Sequence, residues 1–313
     1  MNTASLLIHP EELSDTWIDR IASEGIPTVA LHPKGGGKAH LYVEELVQLL
    51  KTSEYRDLID RATQVGLKIE YEMHAMGYLL PREAFTEHPE WFRENENGER
   101  TSQMNCCASN EEALDYIAKR AAELAKKLYK STDRYFFWLD DVKGCKCHCA
   151  KCASLSASDQ QLTVLNAIIK RLRQDNPKAT LAYLAYHDTL EVPNTVKAEK
   201  GIFLEYAPIT RDPHKPISEC GESKPVSALL NFFGTEGSKV LEYWYDNSLY
   251  SKWKKPPVRF EADERVLHAD VEYYTSLGFE DISSFACFLG ADYEELYGKP
   301  DVSAFGKEIR NKL

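Results

Sequence analysis

The chain has 313 residues, 43% of them apolar and 28% charged, which is enough for a real core and too hydrophobic for disorder. Lys and Arg number 38 against 49 Asp and Glu, a net charge of −11. That balance argues against wrapping nucleic acid or lying on anionic lipid, since both need local positive charge.

The N-terminal MNTASLLIHPEEL carries no basic segment, so no signal peptide is expected and a cytoplasmic location is favoured. The longest apolar run, Leu181 to Tyr186, is too short to cross a bilayer. Eight short β-rich runs follow one another: SLLIHP (5–10), TVALHP (28–33), LKIEYEMH (67–74), YFFWLDD (135–141), TLAYLAYHD (180–188), GIFLEYAP (201–208), KVLEYWYD (239–246) and ISSFACFLG (282–290). Each is aromatic or β-branched and bounded by Gly, Pro or charge, as buried parallel strands are. Helical patterns lie between them at 11–24, 41–65, 110–129, 157–174 and 262–277, with a short last one at 301–312.

Ser109 to Glu112 (SNEE) predicts a capping box on the third helix, and Ser158 a cap on the fourth, which Asn176-Pro177 ends. The stretch EVPNTVKAEK before the sixth run allows barely two helical turns, so the fifth crossover is expected to be irregular. Strands alternating with helices predict an α/β chain, a single (β/α)8 barrel over 1–313. It carries a long loop after strand 3 (75–109) and a Cys-rich loop after strand 4 (142–156). LHPKGGGKAH (31–40) lacks the GxGxxG and GxxxxGK[ST] spacings and reads as a plain loop.

Barrels do chemistry at the C-terminal ends of their strands. Here those ends offer His9, His32, Glu72, His74, Asp140, Asp141, His187, Glu205, Tyr206, Glu242, Trp244, Tyr245 and Asp246. Buried carboxylates cost several kcal/mol unless paired, so such a concentration suggests a site. Asp140-Asp141 after YFFWL is the sharpest signal. Two adjacent like charges favour one acid and one ionised group, the division glycoside hydrolysis uses. The competing reading has Asp141 capping a turn and Asp140 pairing with a Lys or His.

Glu72 and His74 share a strand face and suit catalysis, substrate binding, metal ligation or a plain internal pair. His187, Glu205, Tyr206, Glu242, Trp244, Tyr245 and Asp246 are candidate substrate contacts, the aromatic rings by stacking. For His9 and His32 structural hydrogen bonding is the better reading. GCKCHCAKC brings together Cys145, Cys147, Cys149 and Cys152. A structural zinc on Cys106, Cys147, Cys149 and Cys152, with Cys107 as the alternative to Cys106, stands beside free thiols and local disulfides. Four thiolates leave no open position for a catalytic metal.

The order of motifs from His88 to Pro193 is distinctive: HPEWF at 88–92, Gly98 and Arg100, Cys106 or Cys107, Asp140 or Asp141, Cys147, Cys149 and Cys152, then Ala185-Tyr186 with Pro193. It resembles domain of unknown function 4838, a glycoside-hydrolase-like barrel family usually found in bacterial polysaccharide-degrading proteins. Some relatives are endo-acting β-N-acetylglucosaminidases, and the Asp-Asp pair is similar to that of O-GlcNAcase and hyaluronidase-like hexosaminidases. The resemblance implies that Asp140 orients a 2-acetamido group whose carbonyl oxygen attacks the anomeric carbon, while Asp141 is the acid/base. It implies a carbohydrate partner, an oligosaccharide or glycoconjugate, and no cofactor in catalysis. Relatives often carry further domains around the barrel.

A variant uses Asp141 as acid and Glu242 as nucleophile, with carboxyl groups about 5–5.5 Å apart. Two other classes compete. One is a non-catalytic carbohydrate-binding barrel; the other is a metal-dependent barrel enzyme using Glu72, His74 and His187.

Overall fold

The computed structural model describes residues 3–312, so the outermost residues of the expected 1–313 domain lie outside it. Eight strands form: β1 (Thr3–Ile8), β2 (Thr28–Leu31), β3 (Lys68–His74), β4 (Arg134–Trp138), β5 (Thr180–Ala185), β6 (Ile202–Tyr206), β7 (Lys239–Glu242) and β8 (Asp281–Phe285). They pair in chain order and close into a barrel. The pairing is parallel, as where Ser5 faces Thr28 on one side and Ser283 on the other. This is the expected (β/α)8 architecture. Every strand but β1 is shorter than the run that announced it, and residues past the strand ends, among them Asp140 and Asp141, enter the loops.

The α-helices are α1 (Asp15–Ser23), α2 (Ala39–Leu49), α3 (Ser53–Gln64), α4 (Met76–Leu79), α5 (Glu111–Ala125), α6 (Ala157–Asp175), α7 (Val226–Phe233), α8 (Asn247–Tyr250), α9 (Glu264–Ser276), α10 (Ala291–Tyr297) and α11 (Ser303–Arg310). None of the helices among the described residues is long and apolar enough to cross a membrane. The segment 41–65 is two helices rather than one. The Thr52 hydroxyl donates to the Leu49 carbonyl at 2.8 Å and closes α2, a local bond that competes with continuing the helix.

Caps also differ by a residue or two from the expected ones. Asn110, not Ser109, caps α5, its Oδ1 accepting the Ala113 N–H at 2.9 Å. Ser156 caps α6 in a capping box with Asp159. Ser158 lies inside the first turn and donates to the Glu191 carbonyl instead. The helix ends at Asn176, as its sequence predicts.

The fifth crossover is irregular, with only the short 3-10 turn His187–Thr189 between β5 and β6. Asp159 holds it. One oxygen of its carboxylate accepts the backbone N–H groups of Asn194, Thr195 and Val196 at 3.1, 2.9 and 2.9 Å.

Two compact units divide the chain. One comprises the described residues up to His32, Ser53–Glu70 and those from Leu204 onward. At its centre the buried Lys239 ammonium donates to Ser5 Oγ at 3.2 Å, with Glu70 and Asp281 carboxylates at 3.8 and 3.9 Å. The other comprises Pro33–Thr52 and Tyr71–Phe203. There α5 packs along α6, and Phe136 of β4 meets Phe203 edge-on at 5.6 Å.

Candidate active site

Strands β3 and β4 lie side by side with His74 in register with Trp138. The Ala75 N–H donates to the Trp138 carbonyl at 2.9 Å, and His74 Nδ1 lies 2.7 Å from the Leu139 carbonyl. The next two residues are Asp140 and Asp141, and their surroundings differ sharply.

The Asp140 side chain is 7% exposed and its Oδ2 accepts from Arg82 at 2.6 Å. The same oxygen accepts the Asn105 N–H at 2.5 Å, while the Asp140 N–H donates back to Asn105 Oδ1 at 3.0 Å. Asp140 is therefore an ion-paired carboxylate braced through Oδ2. Asp141 is 28% exposed, with His74 Nε2 at 3.9 Å. Its Oδ2 accepts the Gly36 N–H at 2.9 Å and its Oδ1 accepts the Tyr186 hydroxyl at 3.1 Å.

Burial, and then the Asp141 carboxylate, push the Tyr186 phenol well above its usual range, so it remains a donor. Beside it, desolvation lowers His187 against the pull of Asp141 and Asp188, which favours a neutral imidazole. His187 sits at φ 48°, a left-handed conformation that costs energy in a non-glycine residue.

The glycine run read as a plain loop proves to be part of this frame. A Cβ on Gly35 would lie 2.6 Å from Asp141 Oδ2 and 3.3 Å from the His74 ring, so only glycine lets the backbone approach the carboxylate. Gly36, at φ +79°, turns its N–H onto it. Sequence reasoning missed Gly35, Gly36, Arg82 and Asn105 as site residues. The triple glycine was the one available signal. Arg82 and Asn105 sit in a long loop where no spacing links them to Asp140.

Most of the other expected site residues are buried. Glu72, placed with the catalytic pair from its sequence, is fully buried on β3 opposite Phe136. Glu205 is fully buried on β6. Tyr206 is core rather than a sugar contact: its hydroxyl donates to the Glu222 carbonyl at 2.6 Å and its ring packs on Tyr274. Glu242 is buried between Arg211 at 2.7 Å and the Tyr274 hydroxyl at 2.6 Å, and burial raises it to about 7 despite the arginine.

Trp244 donates its indole N–H to Asp270 at 2.9 Å. Tyr245 is buried near Phe305, which hides the ring face expected to stack on sugar. Asp246 is buried and caps α8 by accepting the Ser248 N–H at 3.0 Å. Arg211, Glu242, Tyr243, Trp244 and Tyr250 line a cavity of about 230 Å³ in their own unit. His9 Nδ1 lies 2.8 Å from the His32 carbonyl, the structural role expected of both residues.

The sulfur atoms of Cys107, Cys147, Cys149 and Cys152 lie within 4.8 Å of one another, and all four residues are buried. The cluster takes Cys107 and not Cys106. Neighbouring side chains in an extended segment point apart, and Cys106 turns to a small cavity shared with Asp140 and Asn105. Among the described residues this is the one group of three or more Cys, His, Asp or Glu at coordinating distance. Glu72, His74 and His187 do not converge as a metal triad. None of the eight cysteines is in a disulfide.

Residues 47–284 match the family model for domain of unknown function 4838 (DUF4838). The chain belongs to the DUF4838 family. Three solved structures share the barrel of this DUF4838 chain at low identity. The cellulose synthase subunit Z of Clostridioides difficile is 14% identical at a TM-score of 0.52, over 99% of this chain and 100% of its own. A β-galactosidase from Rahnella sp. R3 is 11% identical at 0.55, over 99% of this chain and 55% of its own. An O-GlcNAc hydrolase from Thermobaculum terrenum is 12% identical at 0.56, over 99% and 58%. Identities this low show a shared fold. No curated protein matches the sequence.

In this DUF4838 chain the HPEWF and G-x-R motifs frame the cysteines. The Cys107 N–H donates to the Trp91 carbonyl at 2.8 Å, and the Arg100 guanidinium reaches Cys107 and the Phe92 carbonyl.

Proposed function

We propose that the protein is a glycoside hydrolase acting on a β-linked hexose, an N-acetylhexosamine above all, with Asp141 as acid/base and Asp140 assisting the 2-acetamido group. The observation that carries this reading is the unequal setting of two adjacent carboxylates: Asp140 braced by Arg82 and Asn105, Asp141 held yet open. An ionised Asp140 has Oδ2 occupied by both partners, which leaves Oδ1 to accept the acetamido N–H. The acetamido carbonyl oxygen then bonds to the anomeric carbon as the glycosidic C–O bond breaks, and Asp141 gives its proton to the departing oxygen. In the second half Asp141 takes a proton from water, the water oxygen bonds to the anomeric carbon, and the carbonyl oxygen leaves it. Fixed donors at Gly36 and Tyr186 hold Asp141 through both transfers. No cofactor takes part.

The variant with Glu242 as nucleophile loses support, because Arg211 and Tyr274 already occupy that carboxylate. A second reading, a carbohydrate-binding barrel without turnover, draws on the Arg82–Asp140 ion pair, which neutralises one of the two acids. A panel of aryl glycosides with and without a 2-acetamido group separates the two. Hydrolysis confined to the acetamido set supports the mechanism. Oligosaccharide binding by calorimetry with no turnover of any member moves the assignment to the binding barrel.

A further inference from the structure

The thiol cluster has the dimensions of a metal site. Four sulfurs about 2.3 Å from one Zn²⁺ stand roughly 3.8 Å apart at the corners of a tetrahedron. Here Cys107 Sγ lies 3.7 Å from Cys149 Sγ and 3.9 Å from Cys152 Sγ. A disulfide would bring two of them to about 2.05 Å. The surroundings suit thiolates. The Glu94 N–H donates to Cys147 Sγ at 3.3 Å, and the Ser109 hydroxyl touches Cys107, Cys149 and Cys152 at 3.4, 3.7 and 3.2 Å. The Arg100 guanidinium places positive charge beside Cys107, Cys147 and Cys149.

The ligands come from two places. Cys107 ends the long loop after β3, and the other three belong to the loop after β4. Asn105, two residues before Cys107, is the group that grips Asp140, and its side chain also donates to the Cys145 carbonyl at 3.1 Å. From below, the Gln160 amide of α6 accepts the Cys147 N–H at 2.8 Å and donates to the Cys147 and Cys152 carbonyls at 2.9 and 3.3 Å.

We infer that Cys107, Cys147, Cys149 and Cys152 bind one thiophilic divalent cation, zinc first, which ties the two loops together and so positions Asp140. Four protein ligands fill the coordination shell, so the ion does no chemistry on substrate. The metal site stands independently of the proposed hydrolysis. The positioning role rests on it.

The test uses the full chain. Elemental analysis of protein purified without added metal should give one zinc per chain, and cobalt exchange should give the intense visible bands of a tetrahedral thiolate complex. Cys149→Ser and Cys152→Ser should lose the metal, whereas Cys106→Ser should keep it. Should the serine variants fail to fold, wild-type protein with a strong chelator serves instead. It should melt at lower temperature and lose hydrogen-exchange protection in 75–109 and 142–156. Metal-free protein with four reactive thiols, or disulfides found by mass spectrometry, overturns the site. Unchanged exchange at Asn105 and Asp140 after metal removal overturns the positioning role, whatever the glycosidase assays show. If hydrolysis is confirmed, metal removal should lower turnover about 10- to 100-fold, the range seen when groups supporting a site are lost.

Discussion

Asp141 accepts one hydrogen bond on each oxygen; in Asp141→Asn the amide oxygen can keep the Gly36 N–H while the NH2 donates to the rotatable Tyr186 hydroxyl, so the fold should be unchanged. Its turnover should drop about 10²–10⁴-fold, as expected when a general acid is lost. The deficit should shrink on substrates with very good leaving groups. Asp140→Asn should hurt acetamido sugars more than plain glucosides. Full activity of both variants on a confirmed substrate would remove the pair from the mechanism. Gly35→Ala tests the frame itself: the new methyl meets the Asp141 carboxylate at 2.6 Å, so activity should fall while the melting temperature barely moves. Wild-type turnover in that variant would show that the carboxylate tolerates displacement.

The aspartate pair was legible because an aromatic strand ends in two carboxylates. Glu242 misled for a related reason. A strand end gives position along the barrel but not the face. Lys239, three residues earlier on β7, meets Ser5, Glu70 and Asp281, while Glu242 on the opposite face meets Tyr274 and Arg211.

Among the elements, the fifth crossover depends on one side chain. Asp159 both completes the α6 capping box and gathers three consecutive N–H groups of residues 194–196. Those bonds outweigh its desolvation and hold it below the ordinary carboxylate range. Asp159→Ala strands three part-buried donors, and each unsatisfied group costs up to about 1–3 kcal/mol. Chemical denaturation should register a loss of that order or more, with faster amide exchange at 194–196. Unaltered stability would mean that water replaces the carboxylate. The irregularity of this crossover could be read from EVPNTVKAEK. The anchor could not, because Asp159 lies a whole strand away in sequence and looks like an ordinary first-turn acid.

At the scale of the molecule, two sets of carboxylates pull stability in opposite directions with pH. Burial lifts Glu12 and Glu242 to about 7 and Asp246 to about 6. Each binds its proton more tightly folded than unfolded. Its contribution is complete below the unfolded value and disappears as pH rises through 6 to 7. Asp159 and Asp301 are held low, and their contribution is lost as pH falls through their folded values. Calorimetry across pH should therefore find the highest melting temperature near about pH 4, close to the unfolded carboxylate values. A melting temperature still climbing toward pH 8 would contradict that assignment. A ring of strands paired in chain order also leads us to propose one cooperative unfolding transition, seen alike by fluorescence and circular dichroism. Two resolved transitions would show that the units melt separately.

The ring has another consequence. In an open sheet the outermost strand presents a row of unsatisfied N–H and C=O groups that a stray chain can copy. Here β1 is bonded to β2 on one flank and to β8 on the other, so the sheet has no outermost strand. Runs such as YFFWL and TLAYLA, which would seed cross-β stacking if they lay on a rim, are kept from templating for as long as the ring stays shut.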